Sequence, residues 1–189
     1  LKRLCDLGAG FDIVSGGELF RVLRVGADPS KIVFSGVGKQ TDEIEAALAA
    51  KIKCFNVESE AELHHIAEIA ERLGTTAPIS LRVNPDVDPK THPYISTGLK
   101  ESKFGVPMNQ ALRLYAAAQS LTGIMVKGID IHIGSQITQL APYLDALDKM
   151  FTLIDQLNDQ GIVLEHFDIG GGMGIRYDQE PDFPIKALS

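Results

Sequence analysis

Short apolar runs recur six times along the chain, at positions 11–14, 31–35, 53–57, 79–84, 126–133 and 163–169. They carry the β-branched and aromatic residues that suit strands. Between them, apolar positions return every three or four residues, the helical period. The spacing predicts helices over 15–26, 41–50, 59–73, 108–121 and 140–157. Ser15 with Glu18, and Ser59 with Glu62, have the spacing of a capping box. Leu63, Ile66, Ala70 and Leu73 fall on one face of their helix. Leu140, Leu144, Leu147, Phe151 and Ile154 form the stripe expected to face the core in the last helix. Residues 1–8 read as the end of a further helix, closed by Gly8.

Strict alternation of strand and helix, with nearly continuous apolar strands, implies a parallel sheet covered by helices. Such a sheet is either open and doubly wound or closed as a barrel. Polar residues and glycine cluster after every strand, at 15–16, 35–39, 58–59, 84–86, 134–135 and 170–174. Polar loops after all strands suit a (β/α)8 TIM-type barrel, because a doubly wound sheet binds at a single switch point. A complete barrel has eight strands in roughly 250 residues. The expectation is therefore one α/β domain over residues 1–189, a truncated barrel with about six of the eight strands present.

Composition narrows the class. The length of 189 residues allows one sizeable core. A net charge of −7 disfavours nucleic acid and anionic membrane as partners. No apolar run approaches the length of a membrane span, and no signal-peptide pattern is present. Cys5 and Cys54 lack metal-ligand spacing and read as reduced cysteines of a cytoplasmic protein.

The candidate chemistry lies at two strand ends. Gly170, Gly171, Gly172 and Gly174 follow the last apolar run. A tight turn needs one or two glycines; this density suits a nest of backbone N–H groups around an anion. One unit earlier, His132, Gly134 and Ser135 end a strand. His132 alone reads as a satisfied histidine at a strand end, and Ser135 alone as a cap. Together with the glycine nest they suit a ligand with a flat ring and a phosphate, such as pyridoxal phosphate. Asp12 and Arg82 are charges within strands and read as an ion pair across the sheet, as a polar wall around a ligand, or as both. Glu18 reads as a capping residue. Residues 35–40 imitate a phosphate-binding P-loop but fail it: Val33 replaces the first glycine and Gln40 the hydroxyl. Asp86, Asp88 and His92 match no metal template and read as a solvated loop. His64 and His65 read as surface or boundary residues of a helix.

These motifs together resemble a known family. From about Gly8 to Tyr177 the chain is similar to the barrel domain of the diaminopimelate decarboxylases. These are alanine-racemase-like (fold-type III) pyridoxal-phosphate enzymes, grouped with ornithine and arginine decarboxylases. The likeness rests on Phe11-Asp12-Ile13-Val14-Ser15-Gly16-Gly17-Glu18, Phe34-Ser35-Gly36-Val37-Gly38-Lys39, Phe55-Asn56-Val57-Glu58-Ser59 and Leu81-Arg82-Val83-Asn84-Pro85. It continues through Ser102-Lys103-Phe104-Gly105, His132-Ile133-Gly134-Ser135-Gln136 and Asp168-Ile169-Gly170-Gly171-Gly172.

The resemblance implies that His132 stacks on the pyridoxal phosphate ring. It implies that Ser135 and the backbone of Gly170, Gly171 and Gly172 hold the phosphate. Asp12 and Arg82 would belong to the polar network near the ring, and Lys103 would lie near a dimer contact. The lysine that carries the cofactor in this family sits upstream of Leu1. The glutamate facing the ring nitrogen and the C-terminal β-domain follow Ser189. This segment is therefore expected to hold no catalytic residue and no metal, and to be inactive alone. The complete enzyme is expected to be a cytoplasmic homodimer that decarboxylates meso-diaminopimelate, a small amino acid, to L-lysine. The alternatives are another amino-acid decarboxylase or racemase on the same barrel, a non-catalytic cofactor-carrying barrel, and a phosphate-binding barrel without pyridoxal.

Overall fold

The structure, a computed structural model, describes residues 1–88, 104–177 and 182–188. Strands β1 (Phe11–Ile13), β2 (Ile32–Phe34), β3 (Cys54–Val57), β4 (Ala77–Asn84), β5 (Val106–Pro107), β6 (Ile124–Asp130) and β7 (His166–Asp168) form one parallel sheet. Its order is β1-β2-β3-β4-β6-β7, with the short β5 paired beside β4. The helices are α1 (Lys2–Asp6), α2 (Gly16–Arg24), α3 (Thr41–Ala50), α4 (Glu60–Arg72), α5 (Met108–Ser120), α6 (Ala141–Asp159) and α7 (Ile185–Leu188). Six strands in sequential order, with parallel pairing throughout, make a partial barrel of the TIM type. Strands β1 and β7 end the path.

Side chains alternate across a strand, so each strand has two faces. One face is apolar. Ile13, Phe34, Phe55, Val57, Ile79, Leu81 and Ile129 are buried there with helix residues such as Leu63, Ile66, Leu114 and Tyr115. Each such burial stabilises the fold by about 1.5–3 kcal/mol. The other face is polar. Asn56, Ser80, Gly128 and His166 stand side by side in register across β3, β4, β6 and β7. One layer up, Arg82, Asp130 and Asp168 do the same. Gly128 is required in its layer: an added methyl would lie 2.4 Å from His166 Nε2. The imidazole occupies that space and reaches Ser80 Oγ at 2.9 Å. From the helix side, the buried Tyr115 hydroxyl donates to the Gly128 carbonyl at 2.9 Å.

The expected elements form, with corrections. β6 begins two residues earlier than its apolar run and stops at Asp130, although Ile131 and Ile133 stay buried. β7 is shorter than its run because Val163 is 73% exposed and outside the ladder. In α6 the predicted stripe is displaced. Tyr143, Ala146, Met150, Leu153 and Leu157 are buried, whereas Leu144 and Phe151 face outward. This helix is apolar on two sides, so its period alone selects no face. Leu73 is exposed as well, at the C-cap of α4. Lys103 and His92 lie outside the described residues.

Candidate functional site

Acidic side chains tie the loops after successive strands to one another. Ser15 caps α2 by accepting from Glu18 N at 3.2 Å, and Glu18 reaches back to Val14 N at 2.8 Å. Ser59 and Glu62 repeat this at α4, with Glu62 accepting from Glu58 N at 2.7 Å. Glu43 of α3 accepts from Gln40 N at 3.0 Å and from Gly16 N at 2.7 Å, joining the first loop to the second. Lys39 joins the second loop to the third. Its ammonium donates to Gly36 O at 2.7 Å, Asn56 O at 2.8 Å and Glu62 Oε1 at 2.6 Å. The P-loop imitation thus conceals a buried structural lysine.

The strand ends enclose a cleft of about 230 Å³ lined by Asp12, Glu58, Arg82, Asp130, His132 and Gly170, among others. Asp12 and Arg82 both line it, but they do not pair with each other. Asp12 accepts from Ser35 Oγ at 2.6 Å. Arg82 lies 3.2 Å from Glu58 and 4.0 Å from Asp130, with its guanidinium over the Phe104 ring. Asp12 and Arg82 are thus not an ion pair with each other; Arg82 pairs with Glu58 and Asp130 instead.

Burial pushes the Asp130 carboxyl well above the usual carboxylate range. Asp168 adds to this, and Arg82 opposes it. Asp12 keeps an accessible edge, yet the atoms crowding it raise its carboxyl, and the Ser35 hydroxyl pulls it back. Burial first, then Arg82, holds His132 below the ordinary histidine range, so its ring is neutral near pH 7. A carboxyl raised on folding binds more protons in the native state, so stability falls as pH rises above 3.8, the ordinary aspartate value. Asp130→Asn is expected to flatten that fall. Thermal unfolding from pH 4 to pH 8 measures it; a steeper fall in the variant refutes it.

Beside the cleft, His132 Nδ1 accepts from Gly171 N at 3.4 Å, which leaves the ring proton on Nε2. Gly170 and Gly172 have φ of +72° and +86°, in the region that favours glycine. Gly170 gives its N–H to Asp168 Oδ1 at 2.9 Å, so that amide is satisfied within the chain. Gly172 packs on the 134–135 turn: an added methyl would lie 1.8 Å from Gly134 O and 3.3 Å from Ser135 Cα. Gly171 differs, with nothing within 4 Å of an added methyl. The structure thus joins the His132, Ser135 and glycine motifs in one junction. His132 and Gly170 line the cleft; Ser135 is exposed and packs against Gly172, and neither of these two lines it.

The family described as pyridoxal-dependent decarboxylase, pyridoxal binding domain, matches residues 1–188. The chain belongs to that family. Diaminopimelate decarboxylase of Vibrio cholerae is 58% identical over 187 residues, 98% of this chain and 45% of the relative. That of Haemophilus influenzae is 57% identical over 185 residues, 97% of this chain and 45% of the relative. A crystal structure of diaminopimelate decarboxylase from Helicobacter pylori, complexed with L-lysine, superposes with a TM-score of 0.93. It is 47% identical and covers 95% of this chain and 46% of that one. The chain thus spans less than half the length of these relatives.

For a pyridoxal binding domain, the junction offers room beside a ring and a cation, while the Gly170 and Gly171 amides are already donated to Asp168 Oδ1 and His132 Nδ1. The space over Gly171 is open, a neutral ring stands beside it, and a guanidinium faces the cleft. Glu58 Oε2 is buried without a hydrogen-bond partner among the described residues. Residue-by-residue reading of the sequence missed Glu58, Asp130 and Asp168. Their signal was parity: each stands two residues from another polar residue on the same face of its strand.

Proposed function

We propose that this chain is the pyridoxal-phosphate-binding part of an enzyme that decarboxylates meso-diaminopimelate to L-lysine. The observation that carries the reading is the His132 ring held against Gly171 at the edge of a charged cleft. When bound, pyridoxal phosphate supplies a conjugated ring that takes up the electron pair left by departing carbon dioxide. His132 would cover one face of that ring and exclude water from it. Ser135 and the Gly172 amide would hold the phosphate, with Gly171 leaving the approach open; the Gly170 and Gly171 N–H groups already go to Asp168 Oδ1 and His132 Nδ1. Asp12, Arg82, Glu58 and Asp130 would set the charge around the ring. The substrate assignment is supported by identities of 57–58% to diaminopimelate decarboxylases. The lysine that carries the cofactor and the C-terminal β-domain would belong to the remainder of a longer chain. The same reading makes the complete enzyme a cytoplasmic homodimer.

The test is carbon dioxide release by the full-length protein, given diaminopimelate, ornithine or arginine separately. Release from diaminopimelate above the others is expected. A preference for ornithine or arginine sinks the substrate and keeps the cofactor. In the same protein, His132→Ala is expected to weaken cofactor retention roughly tenfold, the scale of one lost aromatic contact. Absorbance after dialysis reads it, and unchanged retention refutes the stacking role.

A further inference from the structure

Asn56 stands at the centre of the polar face with 1% of its surface exposed. Its Nδ2 donates to Ser35 Oγ at 3.1 Å, and Ser35 Oγ donates to Asp12 Oδ1 at 2.6 Å. On its other side, Asn56 Oδ1 faces the Cys54 thiol at 3.8 Å. Cys54 Sγ lies 3.4 Å from Ser80 Oγ, which lies 2.9 Å from His166 Nε2. A file of side chains thus crosses the sheet and ends on one carboxylate at the cleft.

The direction of this file follows from the count of protons. A serine hydroxyl has one proton to give. An Asn56 amide that donates to Ser35 leaves that proton for Asp12. An acceptor at position 56 would draw the proton away and strip Asp12 of its donor. We propose that Asn56 is a positioning residue: it holds Ser35 as a donor to Asp12 and so fixes the orientation and charge of that carboxylate at the cleft. The role of Asp12 there rests on the pyridoxal reading above; the hydrogen bonds do not.

Other charges also face Asp12. Asp168 of β7 and Asp130 of β6 act against its ionisation, and Arg82 of β4 and Lys39 after β2 favour it. Glu18 and Arg21 of α2 share a groove with it, and Lys31 and Lys53 line a shallow hollow on its other side. Of these, Lys39 touches residue 56, but through the main-chain carbonyl, which a side-chain change there retains.

The experiment titrates the Asp12 carboxyl in the full-length protein, free of cofactor, by ¹³C NMR with labelled aspartate. Asp12→Asn identifies the signal. Ser35→Ala and Asn56→Leu are each expected to raise the midpoint by about half a pH unit or more, roughly threefold in the ionisation constant. Ser80→Ala removes an equally buried hydroxyl beyond Cys54 and is expected to leave the midpoint near the parent's. Asn56→Ala serves as the second variant if Asn56→Leu does not fold. An unmoved midpoint in the Asn56 variant overturns the proposal. So does an equal shift in Ser80→Ala, since any buried polar loss would then suffice. Pyridoxal phosphate is then added back to the same samples, and after dialysis its absorbance reads cofactor binding separately. A parent without a cofactor band sinks the pyridoxal reading and leaves the titration result standing.

Discussion

Gly172→Ala is expected to destabilise the full-length protein by about 3 kcal/mol, and Gly171→Ala by less than about 0.5 kcal/mol. The two glycines are neighbours, and geometry separates them. At Gly172 a methyl would meet the Gly134 carbonyl at 1.8 Å, and φ is +86°. Left-handed backbone costs a non-glycine residue about 1–2 kcal/mol, and the clash with main chain adds to it. The loop must then leave Ile137, whose N–H donates to Gly172 O at 2.9 Å. At Gly171 the methyl meets nothing within 4 Å. It would instead project into the space assigned to the cofactor phosphate. Gly171→Ala is therefore expected to lose pyridoxal phosphate while keeping its unfolding midpoint. Denaturant unfolding and cofactor absorbance on both variants decide. Full cofactor retention in Gly171→Ala would remove the glycine cradle from the site.

Lys39→Met is expected to cost about 3–5 kcal/mol, the usual effect of breaking one half of a buried ion pair. The Lys39 side chain is 1% exposed, and all three of its protons have acceptors. Methionine keeps the length and removes the donors. Glu62 is then left without its cation. Burial already pushes the Glu62 carboxyl up and Lys39 pulls it back, so the variant drives it further upward. The loss should therefore grow as pH rises above 4.5, the ordinary glutamate value, and be smallest below it. Adding Glu62→Gln should recover part of the loss, because no charge is then stranded. Denaturant midpoints of the single and double variants at two pH values measure this. A Lys39→Met protein as stable as the parent would mean that the loops hold without this tie.

The fold was legible where period and capping agreed. The Ser59 and Glu62 spacing marked the start of α4, and Thr41 to Ala50 formed as its pattern predicts. Apolar count misled where a surface residue imitated a core one. Val163 extends its run but lies outside β7, and Leu144 and Phe151 share α6 with a better-buried face. The two-residue strand β5 is too short to show any period. His132, Ser135 and the glycines stood out because a ring or a run of glycines at a strand end is unusual. Glu58 and Lys39 did not, since a charged residue in a polar loop looks solvated. Their burial comes from loops meeting across 22–23 positions of sequence, which no local window contains.

The polar face of the sheet separates two tasks along each strand. In a barrel packed with aliphatic side chains, the centre contributes cohesion, and any change there is felt as a packing defect. Here the centre is a buried network of polar side chains bonded to one another, and cohesion resides in the apolar layer between sheet and helices. Alternate residues of one strand thus answer to different demands. Phe55 and Val57 exclude water, while Asn56 and Glu58, on the other face, arrange charge. Ligand preference can be retuned on one set of positions while the other set keeps the architecture standing.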